Sequence, residues 1–432
     1  MILKFITTLN MRIPNTRIIT CYLIFLCCSL LHGQSVTASS YGFKTHPTQA
    51  LLNALNSKYD TIIIDKKSRA WSLKPMVLRQ LRNKVIFLEP GTEVYAQKGA
   101  FQKTNNALFS FINCENIQII GNNGLFCMNK EEYVDGEWRH AISLRACKNF
   151  KIQDLKIKDS GGDGVYIAGW GKGSYSEDII INNISSVNNK RQGLSIISGK
   201  NITITNSTFS NTKGTLPGAG IDIEPNNEMD VISNIRVENC IFKDNYHSGI
   251  MIALGRLTSN SEPITILFKD SFLSNNHTID HPKTAAEIII GSNMDDPVKG
   301  EVVFESCTIE NSKWGLFYSR KRADAYSVSF INCVAKNICK AGTWPPIYLE
   351  VPNYKKPTGP LGGYTFNNML IEYSSKVPFM VVRGSRLGTL KHVKNIVGDI
   401  TILGPEVKDF NYINYDPAQN EGVNLEITRK FQ

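Results

Sequence analysis

One short pattern recurs along the chain from about residue 110, and it limits the folds that the chain can adopt. A β-rich stretch ends in a polar residue, which is followed by a small or apolar residue. The copies are Ile181–Ile184, Ile204–Ser207, Val237–Cys240, Phe268–Ser271, Phe304–Cys307, Phe330–Cys333 and Phe366–Met369. From Asn183 onward, the polar residues lie 23, 33, 31, 36, 26 and 36 residues apart. An imperfect repeat of this period without amphipathic helices is typical of a solenoid.

A second pattern alternates with the first and consists of a small residue, usually Gly, followed by a short apolar strand. The copies are Gly164–Ile167, Gly193–Ile196, Gly220–Ile223, Gly249–Ile252, Glu287–Ile290 and Gly315–Tyr318. One such turn of chain cannot bury its apolar face alone, whereas turns stacked about 4.8 Å apart share backbone hydrogen bonds and one core. The sequence therefore predicts an all-β fold, a single-stranded right-handed parallel β-helix (solenoid), in one elongated domain.

The repeat also gives places to the asparagines and cysteines. One set of asparagines is predicted to stack as an internal ladder at a bend. These are Asn183, Asn206, Asn239, Asn332 and Asn368. Seven cysteines follow residue 34, and an odd number without a CxxC pair argues against a disulfide framework or a zinc site. Because Cys240, Cys307 and Cys333 share the column after the ladder, they are predicted to be reduced, buried core residues.

The two ends of the coil differ from its middle. Thr48–Leu55 resembles a short amphipathic helix, which would cover the first open rung of the β-helix. The residues after about 404 are less regular and are expected to close the other end. The predicted organisation is a signal peptide over 1–34, the N-terminal cap and first rungs over 35–110, the β-helix over 111–403, and a closing segment over 404–432.

The first 34 residues have the pattern of an export signal. Arg12 and Arg17 precede an apolar run from Ile18 to Leu31, which is short for a membrane span. We expect a secreted or periplasmic protein without a membrane span after cleavage, and an uncleaved membrane anchor is the alternative.

The charge of the chain indicates an anionic partner. The net charge is +10, and removal of Lys4, Arg12 and Arg17 with the signal leaves +7. A basic exported protein suits an acidic polysaccharide as its partner. The other interpretation is a generally basic surface whose charge has no role in binding. The Lys and Arg residues are scattered and form no basic helix, which argues against nucleic acid. The protein is expected to be a monomer.

The clearest candidate for catalysis is the pair Asp222 and Glu224. Because Ile221 and Ile223 are predicted to point into the core, the two carboxyl groups should point outward on the same face. Alternate residues of a strand lie about 6.5–7 Å apart, near the ~6.5–9.5 Å carboxyl separation of inverting glycosidases. Repulsion between the two groups would raise one pKa and create a general acid. A solvated face or a structural calcium site is the alternative.

Other polar residues concentrate on the neighbouring rungs. Asp159 and Asp163 are further catalytic candidates, although Asp beside Gly is also ordinary turn chemistry. The predicted substrate-binding residues are Arg139, His140, Tyr166, Arg191, Gln192, Asn226 and His247. Arg139 and Arg191 would clamp a sugar carboxylate or sulfate. Tyr166 and Trp138 would offer ring faces to a sugar.

Over roughly residues 45–380, the chain resembles secreted bacterial right-handed parallel β-helix repeat proteins of the pectate-lyase-like superfamily. The residues that carry the resemblance are Trp138–His140, Asp159–Gly164, Arg191–Gly193 and Gly218–Asn226. It implies the fold and, by analogy, a carbohydrate-active role. The Asn-Thr-Asp, Asp-Asp and Gly-His-Gly set of polygalacturonases is absent, as is the Tyr-Gly-Phe-Asp-Pro-His run of alginate epimerases.

Three functions fit these observations. The first is a glycoside hydrolase that acts on an acidic or substituted polysaccharide with Asp222 and Glu224 as acid and base. The second is a polysaccharide lyase that uses Arg191 or Lys190, with calcium on Asp159 and Asp163 as a possible cofactor. The third is a non-catalytic glycan-binding or adhesive solenoid. No other cofactor and no dedicated metal site are predicted.

Overall fold

A computed structural model describes residues 34–134, 137–280, 284–351 and 358–431 of the chain. The predicted signal peptide lies outside these residues, apart from Gln34. Within the described ranges, no helix is long and apolar enough to cross a bilayer.

Within these described ranges, the fold consists of strands and one α-helix near the start, the helix α1 at Pro47–Leu55. The strands of the first half are β1 Ser35–Thr37, β2 Thr61–Ile64, β3 Trp71–Leu73, β4 Met76–Arg79, β5 Arg82–Leu88, β6 Glu93–Ala96, β7 Phe109–Ile112, β8 Glu115–Cys127, β9 Ile142–Arg145, β10 Lys148–Lys158, β11 Val165–Ala168, β12 Ser176–Val187, β13 Leu194–Ile196, β14 Gly199–Thr205, β15 Thr208–Ser210 and β16 Ile221–Ile223. Those of the second half are β17 Ile232–Glu238, β18 Ile241–Lys243, β19 Ile250–Leu254, β20 Ile264–Lys269, β21 Phe272–Ser274, β22 Ala286–Ser292, β23 Gly300–Glu305, β24 Thr308–Glu310, β25 Gly315–Arg320, β26 Ser327–Ile331, β27 Val334–Ile338, β28 Ile347–Glu350, β29 Leu361–Tyr373, β30 Met380–Arg383, β31 Val393–Gly404, β32 Phe410–Ile413 and β33 Glu421–Phe431. Single turns of 3₁₀ helix lie at Ala38–Tyr41, Lys130–Glu132 and Pro417–Gln419.

The strands form two long parallel sheets that run the length of the coil. One sheet has 21 strands, and the other has 12 in the order β4-β7-β9-β11-β13-β16-β19-β22-β25-β28-β30-β32. In the twelve-stranded sheet each strand pairs with the strand of the next rung, so equivalent residues of successive rungs stack above one another. The predicted parallel β-helix is confirmed.

The ends of the coil confirm one expectation and change another. Helix α1 buries Ala50, Leu51, Ala54 and Leu55 against the first rungs, as a cap should. At the other end, β33 pairs in parallel with β31 from Lys394 to Gly404, and β32 pairs with β30. The coil therefore continues beyond residue 403, where the sequence placed its end.

The repeated asparagines form a ladder on the outside of a bend, so the prediction of an internal ladder was wrong. Asn239 Nδ2 donates to Asn206 Oδ1 at 2.7 Å, and Asn368 Nδ2 donates to Asn332 Oδ1 at 2.9 Å, with all four side chains exposed. These residues have positive φ near 52°, which Asn tolerates better than most side chains. Their role is to turn the chain.

A different polar ladder lies inside the coil. Asn245 Nδ2 donates to Asn276 Oδ1 at 2.7 Å, and Asn276 Nδ2 donates to Glu287 Oε2 at 2.6 Å. All three residues are fully buried, and burial raises the pKa of Glu287 to about 7. The ladder satisfies buried backbone groups at a bend, since the N–H of Asn245 also donates to Asn276 Oδ1.

The core is continuous and contains the cysteines. Phe268, Phe304, Phe330 and Phe366 stack in one column, with centroids 5.1, 4.8 and 5.6 Å apart. All seven cysteines after residue 34 are free thiols and buried. The prediction that Cys240, Cys307 and Cys333 are reduced core residues is confirmed.

Candidate functional site

The candidate site lies on the outer surface of the twelve-stranded sheet. In the register of this sheet, Ser143, Tyr166, Ser195, Asp222 and Met251 occupy one outward-facing position on successive rungs. The predicted equivalence of Tyr166, Ser195, Asp222 and Met251 agrees with this register. We call this line of residues the outward column.

Three carboxyl groups converge on Arg191, which precedes β13. The Arg191 guanidinium lies 3.6 Å from Asp163 Oδ2, 4.0 Å from Asp222 Oδ2 and 3.3 Å from Glu224 Oε2. The side chains of Asp163 and Asp222 are 0% and 1% exposed, whereas that of Glu224 is 41% exposed. We call Asp163, Arg191, Asp222 and Glu224 the carboxylate cluster. Only Glu224 of its three acids is open to solvent.

Gln192 fixes the position of Asp222 from the rung below it. The side-chain amide donates to Asp222 Oδ2 at 2.8 Å, and its oxygen accepts the N–H of Ala219 at 2.6 Å. The backbone N–H of Gln192 donates to Asp163 Oδ1 at 3.1 Å. One buried residue thus joins two acids of the cluster, a positioning role instead of the predicted contact with substrate.

Burial and mutual repulsion raise the pKa values of the two buried acids. Burial raises the pKa of Asp163 to about 6, and the charge of Arg191 limits the rise. The pKa of Asp222 lies well above its usual range, mainly because of burial and secondly because of the charge of Glu224. Asp222 is therefore the acid of the cluster whose protonated form is favoured most.

Asp222 and Glu224 share one cationic partner. They are one strand step apart along the backbone, as predicted, and both carboxyl groups lie within 4.0 Å of the Arg191 guanidinium. The carboxyl separation inferred from strand spacing, near that of inverting glycosidases, stays a prediction. A buried acid beside a half-exposed one is an arrangement that can supply an acid and a base to the same substrate.

An aromatic wall borders the carboxylate cluster. His140 and Tyr166 stack with ring centroids 4.4 Å apart, and the exposed ring of Trp138 lies edge-on to both at 6.3 and 6.4 Å. His140 Nδ1 accepts the N–H of Asp163 at 3.1 Å, and burial lowers the pKa of His140 well below its usual range. His140 is therefore neutral and braces Asp163, while Trp138 is the ring that a sugar can reach.

Two predicted residues are engaged elsewhere. The Arg139 side chain is buried, donates to the carbonyls of Phe101 and Gln102, and lies over the ring of Tyr133. It holds a loop in place and does not offer a free charge to a sugar. Asp159 accepts a hydrogen bond from Asn188 and lies beside Lys158, on a bend where a cleft of about 590 Å³ opens. These contacts do not bring Asp159 to the carboxylate cluster.

Two further predicted residues are also outside the carboxylate cluster. The imidazole of His247 bonds Thr284 through Nε2 at 3.1 Å and packs against His277. Burial lowers the pKa of His247 to about 3, so this ring is neutral. Asn226 is exposed on the loop after β16, where its backbone N–H donates to Asp230. It remains a substrate-binding prediction.

Arg145, which was not among the predicted site residues, belongs to the wall of the site. It ends β9 and lies 5.1 Å from the centroid of the Tyr166 ring. Its charge contributes to the low pKa of His140. The alternation of Ile142, Ser143, Leu144 and Arg145 carried the signal, since it places the arginine on the outer face of the sheet.

A calcium site on Asp159 and Asp163 is not supported by their contacts. Asp163 is paired with Arg191, whereas Asp159 is bonded to Asn188 on another bend. Among the residues that the structure describes, no three His, Cys, Asp or Glu side chains are arranged to hold a metal ion. A cation is already present in the carboxylate cluster as the Arg191 guanidinium.

Sequence comparison identifies the repeat. The family model described as "Right handed beta helix region" matches residues 106–345. A curated relative, the uncharacterized protein YclG of Bacillus subtilis (strain 168), is 31% identical over 126 residues. That match covers 26% of this chain and 22% of the relative, so it spans about a fifth of the relative's length.

Solved structures with the same fold include an adhesin and a hydrolase. The surface protein and adhesin PfbA of Streptococcus pneumoniae has a TM-score of 0.50 and 13% identity, covering 92% of this chain and all of that one. The catalytic unit of a thermostable α-1,3-glucanase from Streptomyces thermodiastaticus has a TM-score of 0.51 and 11% identity, covering 91% of this chain and 69% of that one. At these identities the likeness shows the fold alone.

Proposed function

The chain belongs to the right-handed β-helix family, and within it we propose that this protein is an exported glycoside hydrolase that cleaves an acidic polysaccharide at the carboxylate cluster. The fold is shared by glycoside hydrolases and by adhesins, so membership does not choose between them. The support for hydrolysis comes from the side chains of the cluster.

One observation carries the proposal: Asp222, whose burial raises its pKa and favours the protonated form, lies beside the half-exposed Glu224. Asp222 Oδ1 is buried and has no hydrogen-bond donor among the described residues, so a proton on this carboxyl is available. A carboxylic acid kept neutral at pH 7 is the group that glycoside hydrolysis needs as a general acid. Burial of an acid costs desolvation free energy, and acids with pKa values shifted by burial are concentrated at functional sites.

The proposed reaction adds water across the glycosidic bond. Asp222 donates its proton to the glycosidic oxygen as the bond to the anomeric carbon breaks, and the sugar alcohol leaves. Glu224 takes a proton from the water that attacks the anomeric carbon. Asp163 stabilises the positive charge that develops on the sugar ring. Asp222 ends deprotonated and Glu224 protonated, and one proton exchange between them restores the pair.

The structure gives less support to a lyase. A lyase base would have to be Lys190 or Arg191, and both are engaged. Lys190 Nζ donates to the carbonyl of Tyr133, and Arg191 is surrounded by three carboxyl groups. Arg191 is therefore the counter-ion of the carboxylate cluster and does not offer the free clamp for a sugar carboxylate that the sequence suggested.

Incubation of the exported protein with a panel of uronic-acid and sulfated glycans tests the proposal. We expect new reducing ends without the absorbance of an unsaturated uronate. That absorbance would indicate a lyase instead, and binding without any product would indicate the adhesive function. Either of these two results would overturn the proposal.

The rate is expected to depend on pH through Asp163. Because its pKa is raised to about 6, Asp163 becomes ionised as the pH rises through that value, and kcat should rise with it. Measurement of kcat from pH 4 to pH 8 should give an acidic limb near 6. The Asp163→Asn variant should be slow and should lack this limb. An unchanged limb in that variant would show that another group titrates.

A further inference from the structure

The outward column changes character along the coil. After Asp222 it continues through Met251, Ile289, Tyr318 and Tyr348, and then reaches Val381 on β30. The rungs at the carboxylate cluster are charged, whereas the rungs after Met251 carry apolar and aromatic side chains that pack together. The same outer face therefore contains a second, chemically different region.

This second region is a cleft with an aromatic floor. The cleft has a volume of about 460 Å³ and is lined by Trp344, Tyr348, Val381 and Arg383, among others. Trp344 and Tyr348 stack with centroids 4.8 Å apart, and Tyr318 stacks with Tyr348 at 5.8 Å. We call Trp344, Tyr348 and Arg383 the aromatic cleft. Flat rings in a cleft of this size suit the apolar face of a sugar ring.

The residual charge of the aromatic cleft is positive. Glu350 is neutralised by Arg320 at 3.4 Å and also accepts a hydrogen bond from the Tyr318 hydroxyl. Arg383 is exposed and lies 5.8 Å from the Tyr348 centroid. Among the described residues, Arg383 has no carboxylate within ion-pair distance, in contrast to Arg191. The free guanidinium can bind a carboxylate or sulfate bidentately.

The two regions lie in line on one sheet. Asp222 and Tyr348 are separated by four rung steps, through β19, β22, β25 and β28, which corresponds to about 19 Å along the coil. A polysaccharide chain that follows the outward column would contact both regions with different sugar residues. The cleft is thus placed to hold the chain while the carboxylate cluster acts on it.

We propose that the aromatic cleft is a distal subsite that binds an anionic sugar residue of the same polysaccharide several residues from the bond that is cleaved. The proposal rests on the proposed function for its substrate class, although its own evidence is the cleft. Trp344, which is partly exposed, stacks on the sugar ring with Tyr348 packed against it, and Arg383 binds the carboxylate or sulfate of the sugar. A second site on a long chain adds affinity because its binding is intramolecular once the first site is occupied.

Affinity measurements with short and long oligosaccharides test the distal subsite. The full exported chain carrying Asp222→Asn serves as the background, so that binding is measured without cleavage. The probes are disaccharides and octasaccharides of galacturonate, of mannuronate and of chondroitin sulfate. We expect at least one octasaccharide to bind more tightly than its disaccharide. Arg383→Gln should remove about tenfold of that gain, the usual size for a lost charged hydrogen bond.

Matched variants identify the cause of any loss. Arg386→Gln removes an exposed arginine outside the cleft and should leave the octasaccharide affinity unchanged. Trp344→Ala should weaken both the octasaccharide and its carboxyl-reduced or desulfated form, whereas Arg383→Gln should weaken only the charged form. Octasaccharide binding that is unaffected by Arg383→Gln and Trp344→Ala, or no octasaccharide binding at all, would overturn the subsite.

The two proposals can fail separately. Hydrolysis by the unsubstituted chain with no effect of the cleft variants on binding would leave the hydrolase standing and remove the distal subsite. Binding that depends on Arg383 and Trp344 without any hydrolysis would keep the subsite and remove the hydrolase.

Discussion

Asp222→Asn is expected to lower kcat by about 10²–10⁴-fold, the range of general acid catalysis, while the protein stays folded. Asparagine has the shape of the protonated carboxyl group and can still accept the hydrogen bond from Gln192. It cannot donate a proton to a leaving oxygen. Because burial raises the pKa of Asp222 and favours its neutral form, replacement by a neutral amide should not lower the free energy of unfolding.

The measurement is a comparison of kcat with chemical unfolding on the same preparation. Asp270→Asn is the matched control, since Asp270 is an exposed acid on the bend after β20 with a φ of 47° that Asn also adopts. It should leave both quantities unchanged. Glu224→Gln should also lower kcat, because it removes the base of the pair. Full activity in both the Asp222 and the Glu224 variants would show that the carboxylate cluster is not catalytic.

The repeat predicted the architecture because equivalent positions on successive rungs of a β-helix need the same kind of residue. Inward residues must be apolar on every rung, and bends need residues that tolerate positive φ. The equivalence of Tyr166, Ser195 and Asp222 follows from that register alone. For the same reason, the cysteines could be placed in the core from their column.

The asparagine ladders show that the strand register does not predict which way a side chain points at a bend. Both the exposed ladder through Asn206 and Asn239 and the buried ladder through Asn245 and Asn276 lie at bends. At a bend the backbone turns by an amount that the two-residue period of a strand does not describe, so the sequence pattern does not tell which side of the coil an Asn faces. Because both ladders are built from asparagine, the residue type does not distinguish the exposed ladder from the buried one.

The four residues of the carboxylate cluster were predictable from the sequence, but their pairings were not. Strand parity placed Asp222 on the outer face, yet parity says nothing about burial, which depends on Arg191 and Gln192 from the preceding rung. Asp159 and Asp163 are only four residues apart in sequence. They have different partners because a bend separates them, and only Asp163 reaches Arg191.

Arg191→Gln is expected to destabilise the protein at neutral pH by about 3–5 kcal/mol, as removal of one partner of a buried charged group usually does. Arg191 is the cation that limits the raised pKa of Asp163 and of Asp222. Without it, both folded-state pKa values should rise further above their unfolded values, so the folded state binds more protons than the unfolded state. Stability should then be retained near pH 4 and lost as the pH rises through the folded pKa values.

Urea unfolding of the two proteins at several pH values between about 4 and 8 measures this effect. The difference in unfolding free energy between the native chain and Arg191→Gln should be small at the acid end and should grow toward neutral pH. Arg236→Gln is the matched control, because Arg236 is half-exposed and pairs with Glu238 on the surface. It should cost less than about 1 kcal/mol at every pH. A loss of equal size at all pH values for Arg191→Gln would mean that the guanidinium acts by packing. A loss that grows with pH would mean that the positive charge of Arg191 offsets the negative charge that the buried acids of the cluster acquire as the pH rises.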